Sequence, residues 1–174
     1  MSRRNDDAPT FDRSHFEALF TRLEKPVFNV VYRWLWNAEE ARDVTQEAFM
    51  KLWTARHRVR VETVEPFVFQ SAVNLASNRL RARKVRRLFT RQDDEVVGGP
   101  DETFEERQQH ALVRRAVEAL PEKLKAVVML CEFSGMSTAQ IAEALSIPSG
   151  TVASRRSLAM AALEKALGPL EVRS

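Results

Sequence analysis

The sequence contains few of the residues on which enzymes and disulfide-stabilised proteins depend. Its single cysteine, Cys131, excludes an internal disulfide, is typical of a reducing compartment, and lies on an apolar helix face that favours a core position. The histidines His15, His57 and His110 are scattered without the spacing of metal ligands, and no glycine-rich phosphate loop is present. No pair of acids has the apolar surroundings that raise a pKa. We therefore predict no catalytic residue, no metal site and no cofactor.

Glycine and long apolar runs are scarce as well. With 5 glycines in 174 residues and helix-period patterns along most of the chain, the sequence predicts an all-α protein. No apolar run reaches the roughly 18–20 residues of a membrane span, and the first residues, MSRRNDDAPT, lack a signal-peptide core. We therefore expect a soluble, cytoplasmic chain that does not insert into a membrane.

The charges are segregated along the chain, although the net charge is only +3. A basic run, RLRARKVRRLFTR, has no acid among its own residues to balance it, and an acidic, glycine-containing run, RQDDEVVGGPDETFEE, follows. An acidic segment with a Gly-Gly-Pro turn is typical of a flexible connection. We predict two small helical domains, at 12–88 and 104–170, joined by a flexible acidic linker at 89–103.

The C-terminal part has the pattern of a helix-turn-helix. Its first helix places apolar residues on one face, Gly135 ends that helix, and Ser137 with Gln140 predicts a capping box that opens a short second helix. Ser149 is the predicted N-cap of a third helix. The expected inward residues of the three helices are Leu124, Val127, Val128, Cys131, Ile141, Ala142, Leu145, Val152, Ala159, Leu163 and Ala166. A preceding helix with Phe104, Leu112, Ala116 and Leu120 would pack over them. A bundle without any ligand remains an alternative, but the short middle helix, the turn and the polar start of the third helix favour DNA binding.

The N-terminal part predicts three helices, two of which carry a regular polar stripe. Pro26 should kink or restart the first, and Asn37 with Glu40 should open the second through a capping box. Opposite the buried stripe of the second helix lie Asp43, Gln46, Glu47 and Met50, a pattern typical of either a solvated face or a partner surface; Phe49 and Trp53 flank the buried stripe. The third helix, from near Pro66, has a polar stripe that leads into the basic run: Phe67, Ser71, Asn74, Asn78 and Arg81. Cations suit a phosphate backbone, and an aromatic ring with an amide suits unpaired bases.

Two segments resemble bacterial sigma factors. The run EEARDVTQEAFMKLW is similar to their polymerase-binding helix, and LPEKLKAVVML with GMSTAQIAEALSIPSGTVASR is similar to their C-terminal DNA-binding domain. With these two domains and no middle one, the chain resembles the extracytoplasmic-function (ECF) group of the sigma-70 family. The order and separation of the segments indicate this more strongly than either segment does.

The resemblance implies partners and contact residues. Core RNA polymerase would bind Asp43, Gln46, Glu47, Phe49, Met50 and Trp53. Melted promoter DNA at the minus-ten element would meet the stripe of the third helix, with Phe67 and Asn74 around a flipped base and Arg56, Arg58 and Arg60 forming the rim. Duplex DNA at the minus-thirty-five element would contact Ser137, Ser149, Thr151, Ala153, Ser154, Arg155, Arg156 and Ser157. An anti-sigma factor is a further partner of many family members, although nothing in this sequence identifies one.

The last predicted helix departs from the family pattern. Ala153, Ser157, Leu158 and Met160 stand where long cations are common, and Arg156 occupies a position that is more often apolar. We therefore expect weak reading of the minus-thirty-five element. The alternatives are a stand-alone helix-turn-helix regulator whose N-terminal module dimerises or senses a signal, and a helical adaptor that binds only protein.

Overall fold

Helices account for all of the regular structure among the residues that the computed structural model describes, 11–89 and 104–168. Seven α-helices and one short 3-10 turn follow one another, with no strand in those two ranges. The helices are α1 (Arg13–Leu35), α2 (Ala38–Ala55), α3 (Val64–Phe89), α4 (Phe104–Glu118), α5 (Glu122–Phe133), α6 (Thr138–Leu145) and α7 (Ser149–Leu167), with the 3-10 turn (Val61–Thr63) before α3. The predicted all-α class is confirmed. None of the helices is long and apolar enough to cross a membrane.

The helix starts agree with local sequence signals in most places. Ser137 and Gln140 form the predicted capping box, in which each side chain accepts a hydrogen bond from the other residue's backbone N–H. The Asn37 side chain likewise accepts from the N–H of Glu40 at 2.9 Å, but the Glu40 carboxylate pairs with Arg83 at 2.7 Å instead of completing a box. The prediction for Ser149 is wrong, because it is the first helical residue and Pro148 is the N-cap, without a side-chain hydrogen bond.

Pro26 neither breaks nor restarts the first helix. It lies inside α1, which continues for 23 residues to Leu35. The flanking residues Leu23, Val27 and Val30 are all buried. Their burial stabilises the helix by roughly 1.5–3 kcal/mol for each side chain, which offsets the hydrogen bond that proline cannot donate.

The first three helices form the N-terminal unit, in which the predicted apolar stripes meet. Ala41, Val44, Ala48 and Leu52 of α2 are fully buried, as the spacing predicts. They pack among the buried faces of α1 and α3, which contribute Leu23, Val27, Val30, Val31, Trp34, Val68, Phe69, Ala72 and Ala76. Arg83 holds the end of α3 against α1 by donating to the carbonyl oxygen of Leu35 at 3.0 Å. The polar stripes of α2 and α3 are left on the outside of this unit.

Helices α4 to α7 form the C-terminal unit. Between α6 and α7, Ser146 adopts a left-handed conformation with φ of 53°, and the N–H of Ile147 donates to the carbonyl of Ala142 at 2.9 Å. This is the tight turn of a helix-turn-helix. Val127, Val128, Ile141, Ala142, Val152 and Ala159 are buried as predicted, whereas Leu124, Cys131, Leu145 and Leu163 are half-buried.

Two of the predicted inward positions are wrong. Leu112 is 57% exposed and Ala166 is exposed, although Ala116 and Leu120 of the same predicted face as Leu112 are buried. Leu112 lies in the first half of α4 and Ala166 in the last turn of α7. The helical period places each residue on the correct face, but the neighbouring helices do not cover that face along its whole length. Phe104 was predicted on the same face as Leu112, but its side chain is not among those that the structure describes.

Three arginines of the basic run at the end of α3 pair with acids from other helices, which in part corrects the expectation that no acid balances the run. Arg79 pairs with Glu47 of α2 at 3.5 Å, Arg81 with Glu122 of α5 at 2.7 Å, and Arg83 with Glu40 of α2. Each pair joins residues that are distant in sequence. Except for Phe89, the predicted acidic linker at 89–103 lies outside the described residues.

Candidate functional sites

The outer face of α2 presents the predicted polar stripe. Asp43, Gln46 and Met50 are exposed, and the Glu47 side chain retains 43% of its exposure beside Arg79. Phe49 differs from these residues, because it is only 2% exposed and belongs to the core. Of the six residues predicted to contact polymerase, it is the one that lies beneath the surface.

Met50 is the apolar centre of this face. Its side chain is 55% exposed. It lines two depressions: one of about 620 Å³ towards α1, and one of about 420 Å³ towards Ala55 and Arg58. The linings of the two hollows carry both acids and cations: Glu24, Glu47, Lys25, Arg42, Lys51 and Arg58. A protruding methionine in these surroundings is suited to a protein partner that brings apolar and charged side chains.

The larger depression is an aromatic groove between α1 and α2. Phe16, Phe20 and Phe28 of α1 form one wall, and Phe49, with Gln46 and Met50, forms the other. The ring centroids of Phe20 and Phe49 are 4.8 Å apart, and those of Phe16 and Trp53 are 5.1 Å apart; both pairs meet edge to face. The sequence-based prediction missed the α1 residues of this groove. The sequence feature that could have identified them is a shared spacing: Phe16 and Phe20 on α1 are four residues apart, as are Phe49 and Trp53 on α2.

The polar stripe of α3 lies on one face, as its spacing predicts. Phe67 and Ser71 are half-buried, while Asn74, Asn78 and Arg81 are exposed. Phe67 packs against the core with part of its ring and leaves the rest accessible. Among residues 11–89 and 104–168, no side chain or backbone group bonds to the Asn74 amide. An accessible ring and an uncommitted amide seven residues apart, two helical turns, can contact the face and the edge of one unpaired base.

The end of this stripe is already engaged within the chain. Arg81 donates one hydrogen bond to the Asn78 side chain at 3.1 Å and another to Glu122 of the C-terminal unit at 2.7 Å. Two of its five N–H groups are used in these contacts, and 62% of the side chain remains exposed.

The three arginines of the predicted rim differ in the contacts that their side chains make with the rest of the chain. Arg56 donates to the carbonyl of Trp53 at 2.8 Å and stacks its guanidinium 4.3 Å from the centre of that ring. Arg60 pairs loosely with Glu62 at 3.5 Å, and Arg58 is exposed beside the smaller depression. The Arg56–Trp53 stack joins a predicted DNA-contacting residue to a predicted polymerase-contacting one.

The start of α7 presents small side chains. Ala153, Ser154 and Ser157 are exposed, and the Ser154 hydroxyl donates to the carbonyl of Thr151 at 3.2 Å. Of the adjacent arginines, Arg155 is half-buried. Arg156 donates to one carboxylate oxygen of Glu132 through Nε at 3.2 Å and through Nη2 at 2.8 Å. The other predicted contacts are Ser137 and Ser149, which are exposed, and Thr151, which is half-buried.

The described residues offer no arrangement for metal or thiol chemistry. No group of three or more His, Cys, Asp or Glu in the two described ranges could hold a metal ion. Burial raises the pKa of the Cys131 thiol, and the neighbouring Arg156 lowers it by less, so the thiolate is disfavoured.

Sequence comparisons identify the family. The family profile described as Sigma-70 region 2 matches residues 19–86, and that described as Sigma-70, region 4 matches residues 110–163. The chain is 32% identical to the RNA polymerase sigma-H factor of Pseudomonas aeruginosa, over 91% of this chain and 89% of that protein. It is 29% identical to the ECF RNA polymerase sigma-E factor of Escherichia coli K12, over 91% of this chain and 90% of that one.

Solved structures share the fold. The protein CnrH, in complex with the cytosolic domain of CnrY, superposes with a TM-score of 0.69 at 20% identity, over 90% of this chain and 89% of that one. The sigma factor RpoE of Bartonella quintana, in complex with the anti-sigma factor NepR, gives a TM-score of 0.68 at 16% identity, over 88% and 97%.

The chain therefore belongs to the sigma-70 family of RNA polymerase sigma factors, in its extracytoplasmic-function group. It is a sigma factor that directs transcription initiation. This decides against the stand-alone regulator and the protein-only adaptor.

Proposed function

We propose that three separate surfaces of the chain each bind one of the partners needed for initiation. The outer face of α2, with Asp43, Gln46, Glu47 and Met50, binds core RNA polymerase. The stripe of α3 holds the melted minus-ten element. The start of α7 contacts the minus-thirty-five element as duplex DNA.

The observation that carries the polymerase assignment is the exposed Met50 between its two hollows. A partner that fills the two hollows would remove the Met50 side chain from water, and burial of apolar surface favours association. The surrounding carboxylates of Asp43 and Glu47 select a basic partner surface and speed its approach. Phe49 supports the face from below rather than by direct contact, because it is buried, whereas Trp53 is half-buried with Arg56 stacked on its ring.

The minus-ten assignment is supported by the chemistry of Phe67 and Asn74. A base that leaves the duplex loses its stacking partners and exposes its Watson–Crick edge, so it needs a ring and a hydrogen-bonding group. Both are accessible on one face of α3. Arg58 and Arg60 on the preceding loop supply positive charge for the phosphates of the melted strand.

The minus-thirty-five contact is proposed to be weak. Direct reading of the major groove depends mainly on arginine with guanine and on asparagine or glutamine with adenine. The exposed start of α7 has neither amide, and Arg156 is held by Glu132. Attachment to polymerase then supplies the missing affinity by raising the local concentration of the C-terminal unit at the promoter. We also propose that the chain acts in the cytoplasm, has no catalytic activity of its own, and has an anti-sigma factor as a partner.

Transcription in a reconstituted system tests the proposal. Purified core RNA polymerase and the full chain are given a library of promoters randomised at both elements, and the transcripts are sequenced. We expect initiation that depends on the chain, with stricter selection at the minus-ten than at the minus-thirty-five element. Equal selection at both elements would contradict the assignment to α7, and initiation unaffected by Glu47→Lys would contradict the assignment to α2.

A further inference from the structure

A small cavity of about 80 Å³ lies where the end of α1 and the second half of α3 meet the start of α5. Buried side chains form its floor: Trp34, Ser77, Leu120 and Lys125. The charged residues at its opening are exposed to solvent: Arg81, Lys84, Glu118 and Glu122. One water molecule needs roughly 10–15 Å³ of such volume, so the cavity has room for a small ion or for a few water molecules.

Hydrogen-bond donors are in excess on the floor of this cavity. Among residues 11–89 and 104–168, the buried Nε1–H of Trp34 has no acceptor. Lys125 is only 3% exposed, and of the three N–H bonds of its ammonium group one donates to the carbonyl oxygen of Trp34 at 3.2 Å. The Ser77 hydroxyl, beside the Glu122 carboxylate, makes no hydrogen bond of ordinary geometry in this part of the chain. Because a buried donor without an acceptor costs free energy, the floor is suited to a ligand that accepts several hydrogen bonds.

The charges around the cavity leave a surplus of cations. Both carboxylates at the opening are already paired with arginines: Glu122 with Arg81 at 2.7 Å, and Glu118 with Arg114 at 2.9 Å. Within the two described ranges, Lys84 and Lys125 form no ion pair, although both line the cavity. Like charges that face one small space repel each other, and a negative charge between them removes that repulsion.

We propose that this cavity is a binding site for a small monovalent anion such as chloride, which accepts hydrogen bonds from Trp34 Nε1, the Ser77 hydroxyl and the Lys125 ammonium. One negative charge balances the buried ammonium. A divalent anion would be repelled more strongly by the two carboxylates at the opening. The site does not rest on the proposed function, because its three donors belong to none of the surfaces assigned to polymerase or to DNA.

The pKa of Lys125 agrees with this geometry. Burial lowers it to about 8; Glu118 and Glu122 raise it, while Lys84 and Arg114 lower it. A bound anion stabilises the ammonium form, so it should return the pKa of Lys125 towards its ordinary value of 10.5. By linkage, the anion should bind more weakly as the pH rises above about 8, because the free site then loses its proton.

Chloride NMR of the full chain tests the site without polymerase or DNA. Chloride that exchanges with a site on a protein relaxes faster than free chloride, so its resonance broadens. Lys125→Met keeps the length of the side chain and removes the ammonium, and Lys123→Met makes the same change at an exposed position on α5. We expect the wild type and Lys123→Met to broaden the resonance alike, and Lys125→Met to lose most of that broadening. Equal broadening by the two variants would overturn the site.

Thermal unfolding provides a second measurement. The full chain is unfolded in sodium chloride and in sodium gluconate of equal ionic strength, because gluconate is too large for this cavity. A ligand at tenfold excess over its dissociation constant raises the Tm of a chain of this size by about 3–6 °C. We expect the Tm in chloride to exceed that in gluconate and to level off as the site fills. The difference should be smaller at about pH 10 than at about pH 7, since Lys125 then loses its charge more readily.

A second variant covers the case in which Lys125→Met fails to fold. Ser77→Ala deletes one donor from the floor and changes the side-chain volume little, so the difference in Tm between chloride and gluconate should decrease. If that difference is the same in the wild type, Lys125→Met and Ser77→Ala, the cavity holds water only and the anion site is wrong.

Discussion

The guanidinium of Arg156, on α7, is held by the carboxylate of Glu132, on α5. Two of its nitrogens, Nε and Nη2, donate to the same oxygen of Glu132, at 3.2 and 2.8 Å. The pair is partly exposed, with 53% of the Arg156 side chain and 39% of the Glu132 side chain accessible, so its own contribution to stability is small. Its importance is electrostatic, because it neutralises a cation at the helix that is proposed to enter the major groove.

Glu132→Gln should strengthen DNA binding through Arg156. Without the carboxylate, the guanidinium is available to a phosphate, and each neutralised phosphate adds close to one unit to the slope of log affinity against log salt concentration. Fluorescence anisotropy with duplex minus-thirty-five DNA over a salt series measures both quantities. Glu164→Gln, an exposed acid further along α7, is the control with the same charge change. A salt slope identical in the two variants would show that Arg156 does not reach the DNA.

Glu47→Lys should reduce binding to core polymerase by at least about 1 kcal/mol, roughly the loss expected for a charge at a specific interface. The fold should persist, because Glu47 is half-exposed and its pairing with Arg79 at 3.5 Å contributes little. Circular dichroism checks the fold, and a titration with labelled core enzyme measures the affinity. Glu164→Lys makes the same charge change on the other unit and should bind as the wild type does. The α2 assignment fails if the folded Glu47→Lys chain binds equally well.

Asn74→Ala should weaken binding to single-stranded minus-ten DNA by roughly 1–3 kcal/mol, the usual size of one base contact. It should also relax the choice of base at one promoter position, because the amide is proposed to read an edge of that base. Phe67→Ala should weaken binding by a similar amount without changing which base is preferred, since stacking tolerates every base. Gln108→Ala, an exposed amide on α4, is the control. Unchanged base preference in Asn74→Ala would exclude the amide from base reading.

The stability of the chain should rise with pH between about 8 and about 10.5 because of Lys125. Burial lowers the pKa of Lys125 to about 8 from its ordinary value of 10.5, so the unfolded chain binds the extra proton over this range. Stability increases with pH wherever the unfolded state binds more protons, here by at most roughly 3 kcal/mol. The charged groups that act on the ammonium are Glu118, Lys84, Glu122 and Arg114.

Chemical denaturation at about pH 7 and about pH 10 measures this effect as a change in the free energy of unfolding. Lys125→Met keeps the length of the side chain and removes the titrating group, so the difference between wild type and variant isolates Lys125. An equal pH dependence in both chains would show that Lys125 is not buried in solution.

The exposed Met50 should be a second determinant of polymerase binding. Met50→Ala removes the apolar centre of the α2 face without disturbing the core, since the side chain is 55% exposed. We expect a loss of at least about 1 kcal/mol in core binding, as for a central interface residue. Met160→Ala, another partly exposed methionine, on α7, serves as the control. Equal affinity of the two variants would place the polymerase contact elsewhere.

The sequence by itself determined the helices, the N-caps Asn37 and Ser137, and most of the residues on each buried face. These features depend on near neighbours in the chain: the reciprocal bonds of Ser137 and Gln140 span three residues, and the buried stripe of α2 follows the helical period. The polar stripes of α2 and α3 were predictable for the same reason. Their partners could be inferred only from the resemblance to sigma factors.

The tertiary structure decided where each buried face ends and which distant residues meet. Leu112 and Ala166 have the correct spacing for burial, yet both are exposed among the helices of residues 11–89 and 104–168. The contact of Lys125 with Trp34 joins residues 91 positions apart, and that of Arg81 with Glu122 joins residues 41 apart. A sequence pattern predicts that a charged residue is exposed to solvent, because the pattern covers only the helix to which that residue belongs. The carbonyl oxygen and aromatic face that allow Lys125 to be buried belong to a helix of the other unit, and only the packing of the two units brings them together.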